Sequence, residues 1–138
     1  MGNIVIAVIA DDFITRSGYI NEPMVEEITN YYEHGPKAGG QPKQVVILLH
    51  GVGSNGQDLI SLAPYWAKDL PDAVFVSPDA PFVCDMVPPG YPNAYQWFSL
   101  QNRDPQIMLK EIKAAKPLLD SFINETCRKY GLSADKAA

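Results

Sequence analysis

Val45 to Leu49 reads VVILL, an unbroken apolar run rich in β-branched residues, and it passes at once into His50-Gly51-Val52-Gly53-Ser54-Asn55-Gly56. A strand with no polar alternation has no face to offer water, so it must be covered on both sides, as strands of a helix-sandwiched parallel sheet are. That one stretch restricts the chain to an α/β architecture. The residues after it agree. Leu59, Leu62, Ala63, Trp66 and Leu70 fall at helical spacing, with Pro64 in the first turn, where a missing N–H costs little. A second strand is predicted at Ala73 to Ser77.

From Pro78 to Leu100 the chain is proline-rich and aperiodic, the pattern of a long excursion that serves a site. Asp104-Pro105 then supplies an N-cap and a proline at the first helical position. The apolar face of the helix that follows is Met108, Ile112, Ala115, Leu119, Phe122, Ile123, Cys127 and Tyr130. Pro117 is expected to kink it, and Gly131 to close it. Strand, helix, strand, helix in this order predicts a mainly parallel sheet with right-handed crossovers. Upstream, Asn3 to Ala10 reads as a short buried strand, Met24 to Tyr32 as a short helix, and His34 to Pro42 as a Gly/Pro-rich connection.

Charge and cysteine content remove several classes of function. The 138 residues carry 11 basic and 16 acidic side chains, a net charge of -5, and the basic ones form no stripe. A phosphate-backbone footprint is therefore missing, and nucleic acid is not an expected partner. The apolar run Ile4 to Ala10 is too short to span a bilayer, and no Lys or Arg precedes it as in a secretory signal, so the cytosol is the expected location. Cys84 and Cys127 make no C-x-x-C pair and have no neighbouring His; both are read as reduced, with no metal site and no cofactor expected. Asp11 and Asp12 at a strand end could hold Mg²⁺ only with a third acid or a lysine partner, so they are read as a solvated strand end.

The glycine loop admits two readings. From Gly51 it fits G-x-G-x-x-G, the dinucleotide-binding turn, and Asp79 at the end of the next strand stands where a ribose-binding acid is wanted. Against this, the fingerprint usually opens its domain, and here Gln57-Asp58 follow the third glycine where small residues are wanted. From His50 it is a strand-end His-Gly whose loop amides can face an oxyanion, as acyl transfer requires. LHGVGSNGQDL, then SPDAP (Ser77 to Pro81), QWFSL (Gln96 to Leu100) and GLSADKAA resemble the phospholipase/carboxylesterase family of α/β-hydrolases, which includes bacterial carboxylesterases and acyl-protein thioesterases. The resemblance runs from about Gly35 to the last residue. It implies an extension at residues 1–34 with a short strand, then the N-terminal part of an α/β-hydrolase domain at 35–138. Residues 1–23 do not fit the family's short N-terminus, and Met24 is an alternative start.

By that resemblance the Val52 backbone N–H is an oxyanion-hole donor, and His50, Gly51 and Gly53 shape the turn. Trp97 and Phe98 stand at the acyl groove, and the substrate is a small acyl ester or thioester. Family members place a serine nucleophile on a G-x-S-x-G elbow, with an Asp and a His further on. None is present, since no serine among Ser17, Ser54, Ser61, Ser77, Ser99, Ser121 and Ser133 sits in such an elbow. The chain is thus expected to be a portion truncated before the nucleophile-elbow strand, inactive alone, with a non-catalytic binding module as the alternative. In this fold the missing strand pairs with Val45–Leu49 on the side away from Ala73–Ser77. That predicts an open apolar edge and, from it, self-association or a complementing C-terminal chain.

Overall fold

The computed structural model describes the backbone of residues 3–8 and the whole of residues 27–132; Asp11, Asp12, Ser17, Met24 and Ser133 onward lie outside the described residues. Strands β1 (Asn3–Val8), β3 (Gln44–Leu49), β4 (Ala73–Pro78) and β2 (Tyr31–His34) form one sheet in the order β1-β3-β4-β2. β1, β3 and β4 run parallel, while β2 is antiparallel to β4. The sheet is therefore mixed.

Successive side chains of a strand point to opposite faces, and both faces of β3 are filled. Val45, Ile47 and Leu49 lie with Val74 and Val76 of β4 in a cluster that includes Trp97, Phe122 and Cys127. Val46 and Leu48 lie with Ala73 and Phe75 against Leu59, Ala63 and Ala67. Each such side chain removed from water is worth about 1.5–3 kcal/mol, so the two-sided burial of β3 and β4 anchors this sheet.

Among the described residues three helices cover it: α1 (Gly56–Ile60), α2 (Ala63–Trp66) and α3 (Pro105–Tyr130). Pro64 stands in the first turn of α2, as its missing N–H predicts, and α1 precedes it as a separate short helix. α3 begins where Asp104 accepts the Gln106 N–H at 2.8 Å. It ends at Gly131, at φ 68°, with the Leu132 N–H returning 2.8 Å to the Cys127 carbonyl. Pro117 is accommodated inside it, and the assigned helix runs through. No helix among the described residues is long and apolar enough to cross a membrane.

Two further expectations are corrected. Residues 27–30 are irregular and Tyr31–His34 is a strand, so no helix occupies the described part of Met24 to Tyr32. Backbone pairing with β4 overrides the weak local pattern there. The flank of β3 away from β4 is also not open: β1 pairs along it from Asn3↔Gln44 to Val8↔Leu49. The unpaired groups that were to drive association at that flank have partners within the same chain.

Candidate functional site

Beyond Leu49 the chain reverses in a tight turn. The Ser54 N–H donates to the Gly51 carbonyl at 3.2 Å, and Gly53, third in the turn, has φ 84°. A type II turn demands that left-handed conformation at its third position, which is why a glycine stands there. The second-position amide takes no part in the turn's own hydrogen bond. Here that amide belongs to Val52, and it donates to no protein acceptor among the described residues. The loop is also stitched to the hairpin formed by β5 (Phe82–Val83) and β6 (Tyr95–Gln96): the Gly53 N–H donates to the Tyr95 carbonyl at 2.9 Å, and the Tyr95 N–H to the Ser54 carbonyl at 3.0 Å.

His50 holds the base of this turn. Its Nε2 accepts the Ala80 N–H at 2.9 Å, which leaves the proton on Nδ1, and Nδ1–H donates to the Gly51 carbonyl at 2.7 Å. Its own carbonyl accepts the Trp97 indole N–H at 3.0 Å. Burial lowers the His50 pKa, against opposing pulls from the Gly51 carbonyl and the charges of Asp79 and Asp58. A neutral imidazole with both nitrogens committed cannot serve as a general base; it fixes the spacing between β3 and the segment after β4.

The start of α1 is filled in the same manner. Asn55 caps it by accepting the Asp58 N–H at 2.8 Å, and its amide donates to the Asn93 carbonyl at 2.8 Å. The Gly56 N–H donates to Asp79 Oδ1 at 2.7 Å, and Asp79 is buried. The donors that a pyrophosphate would need at this helix start are thus taken by two protein side chains, and Asp79 faces Gly56 rather than open solvent. Gly56 is demanded by packing: an added Cβ would lie 2.4 Å from the Ser77 carbonyl oxygen.

His50, Gly51, Val52 and Gly53 are thus brought together, with Trp97 beneath them. Trp97 is buried in the core cluster and Phe98 is partly buried against it. The Ser54 hydroxyl lies 3.5 Å from Asp58 rather than on His50. Cys84 and Cys127 are buried free thiols, and burial pushes the Cys127 thiol up. No nucleophile with a positioned base occurs among the described residues. Asp79 lies at the end of β4, where the sequence puts it, but its bond to the Gly56 amide is the contact sequence reasoning missed; the signal was its position at the end of the strand that α1 packs against. A groove of about 520 Å³ beside Tyr31, Phe122 and Lys129 is lined by none of the loop residues.

Comparison with known proteins bears on this loop. The profile of the phospholipase/carboxylesterase family matches residues 36–137. Among solved structures, that of esterase PE8 is similar at a TM-score of 0.66 and 35% sequence identity, covering 82% of this chain and 50% of that one. The chain therefore spans half the length of the esterase it matches.

Proposed function

Since this chain belongs to the phospholipase/carboxylesterase family and its described residues form part of an α/β-hydrolase fold, we propose that it carries the oxyanion-stabilising part of a carboxylic ester hydrolase. The observation that supports this reading is the Val52 N–H, presented by a rigid turn and satisfied by no protein acceptor among the described residues. Such a donor gains most where negative charge develops on a carbonyl oxygen, because it is already oriented and need not reorganise. His50, Gly51 and Gly53 set the turn, Trp97 pins it from below, and Phe98 borders the acyl side. The substrate is a small acyl ester or thioester.

The serine, its acid and its base are not in this sequence, so the 138 residues supply one component of acyl transfer rather than all of it. Oxyanion and binding contributions alone leave about 10³ to 10⁴-fold over water, far below a working enzyme. The test compares the chain with a chimera in which it is followed by the part of esterase PE8 outside the match. The chain alone should give no p-nitrophenyl ester turnover above background and no fluorophosphonate labelling, and the chimera should give both. Stoichiometric labelling of the chain alone, or a folded but inert chimera, would overturn the reading.

The dinucleotide alternative loses its support at the start of α1, where Asn55 and Asp79 already occupy the donors it would use.

A further inference from the structure

The groove between β2 and α3 stands apart from the glycine loop, and its makeup serves neither packing nor acyl transfer. Its volume of about 520 Å³ is that of a small-molecule site. The floor is apolar, formed by Ile28, Tyr31, Leu118 and Phe122, and the Tyr31 and Phe122 rings meet edge to face at 5.6 Å. Leu118, Phe122 and Thr126 follow at four-residue steps along one stripe of α3, and all three are buried, Thr126 at 7% exposure. Thr126 breaks the apolar character of that stripe. Its hydroxyl lines the groove yet makes no hydrogen bond within the described residues, not even to the carbonyl four residues earlier that a helical threonine commonly finds. A buried hydroxyl left in this state costs stability unless something in the groove meets it.

The rim sets Glu27, Glu33 and Glu125 against one cation, Lys129. Lys129 is committed, with Nζ 2.7 Å from Glu33 Oε1 and 5.3 Å from the centroid of the Tyr31 ring. Glu125 is paired with Arg128. Glu27 has no ion-pair partner among the described residues, so the charge left over in the groove is negative. Nowhere among the described residues do three acid, histidine or cysteine side chains stand together as a metal ion requires, so a cation that suits this groove is an organic one. The wall already accommodates one ammonium, that of Lys129, on a carboxylate and an aromatic face. From the unpaired Glu27 carboxylate, the unbonded Thr126 hydroxyl and the apolar floor, we propose that the groove between β2 and α3 binds a small amphiphilic amine. Its ammonium is held among the rim carboxylates and the Thr126 hydroxyl, and its apolar body lies on Leu118 and Phe122. This site is independent of the hydrolase reading.

The probe is n-hexylammonium chloride, titrated into the full chain by calorimetry, with hexanol and hexanoate as bodies of equal length that are neutral and negative. Hexylammonium should saturate one site. Hexanol should bind about 10-fold or more weakly, since it forfeits both the ion pair and the attraction to the ring, and hexanoate should not bind. Glu27→Gln should weaken hexylammonium by about 3- to 5-fold, the worth of one exposed ion pair. Asp120→Asn removes the same charge from outside the groove and should bind as the parent does. Thr126→Val should weaken binding by about 3-fold or more while keeping or raising the melting temperature, because a methyl replaces a hydroxyl that has no partner in the chain. A threonine that served packing alone would move the melting temperature and leave binding unchanged. Absence of saturable binding, hexanol binding as tightly as hexylammonium, equal weakening by Glu27→Gln and Asp120→Asn, or parental binding by Thr126→Val would each overturn the proposal. So would a chain that sediments as a dimer whether or not hexylammonium is present and takes up none of it, an outcome that assigns the groove to a second copy.

Discussion

Past Leu49, β3 is tied down by side chains: the His50 ring accepts the Ala80 amide, the Trp97 indole N–H donates to the His50 carbonyl, and Asp79 accepts the Gly56 amide. Along its flank, the same strand is closed by backbone register with six residues that lie outside the family match. The first arrangement is specific to particular residues and fails when one of them changes. The second is generic, since any apolar strand of adequate length offers the same amides and carbonyls. One strand is thus held in two ways, by long-range side-chain bonds at its end and by main-chain register along its flank.

The contrast is sharpest under substitution. The largest effect is expected for Gly56→Ala, whose Cβ would meet backbone and not a movable side chain. It should cost at least the upper end of about 1–3 kcal/mol for overpacking, read as a drop in denaturant midpoint. His50→Ala comes next: it strips the acceptor from a buried Ala80 amide, worth about 1–3 kcal/mol.

The same residue gives a pH signature. Because burial lowers the folded pKa of His50 below the ordinary 6.5, its contribution is fully present above pH 6.5 and fades as the pH falls toward the lowered value. The parent chain should lose more stability than His50→Gln between pH 7 and pH 5, and equal slopes would contradict the buried neutral ring. The smallest effect is expected at the far edge of the sheet. Glu33 of β2 accepts from Lys129 at 2.7 Å and from the Tyr130 hydroxyl, at side chains a third or more exposed for the ion pair. Burial acts to raise the Glu33 pKa but those bonds lower it overall, and burial together with Glu33 raises the Tyr130 pKa to about 12. At an exposed pair Glu33→Gln should cost at most about 1 kcal/mol, lessened further by salt.

The parts of the fold legible in the sequence are those where burial or capping leaves a local mark. β3 and β4 announce themselves by lacking polar alternation, and α3 by Asp104-Pro105 at one end and Gly131 at the other. What was not legible is non-local. The run NIVIAV reads as a strand but carries no address, so its place beside β3 had to come from the pairing itself. Tyr31–His34 is too short for its period to compete with a helical reading, and antiparallel pairing to β4 decides it. In the loop, the motif pointed to the Val52 amide. The commitment of Asp79 to Gly56 and of the Trp97 indole to the His50 carbonyl depends on contacts across 23 and 47 residues, which no local pattern encodes.

The most direct test of the account acts on one hydrogen atom. Val52 holds the second position of its turn, where proline is favoured in type II geometry, so Val52→Pro removes the amide donor while keeping the turn. In the chimera with the remaining part of esterase PE8, Val52→Pro should leave the melting temperature unchanged and lower kcat by about 10² to 10³, the usual cost of one oxyanion donor, while Val52→Ala, which keeps the N–H, stays near the parent. A Val52→Pro chimera that melts as the parent does and turns over ester at the parental kcat would contradict the assignment of this loop.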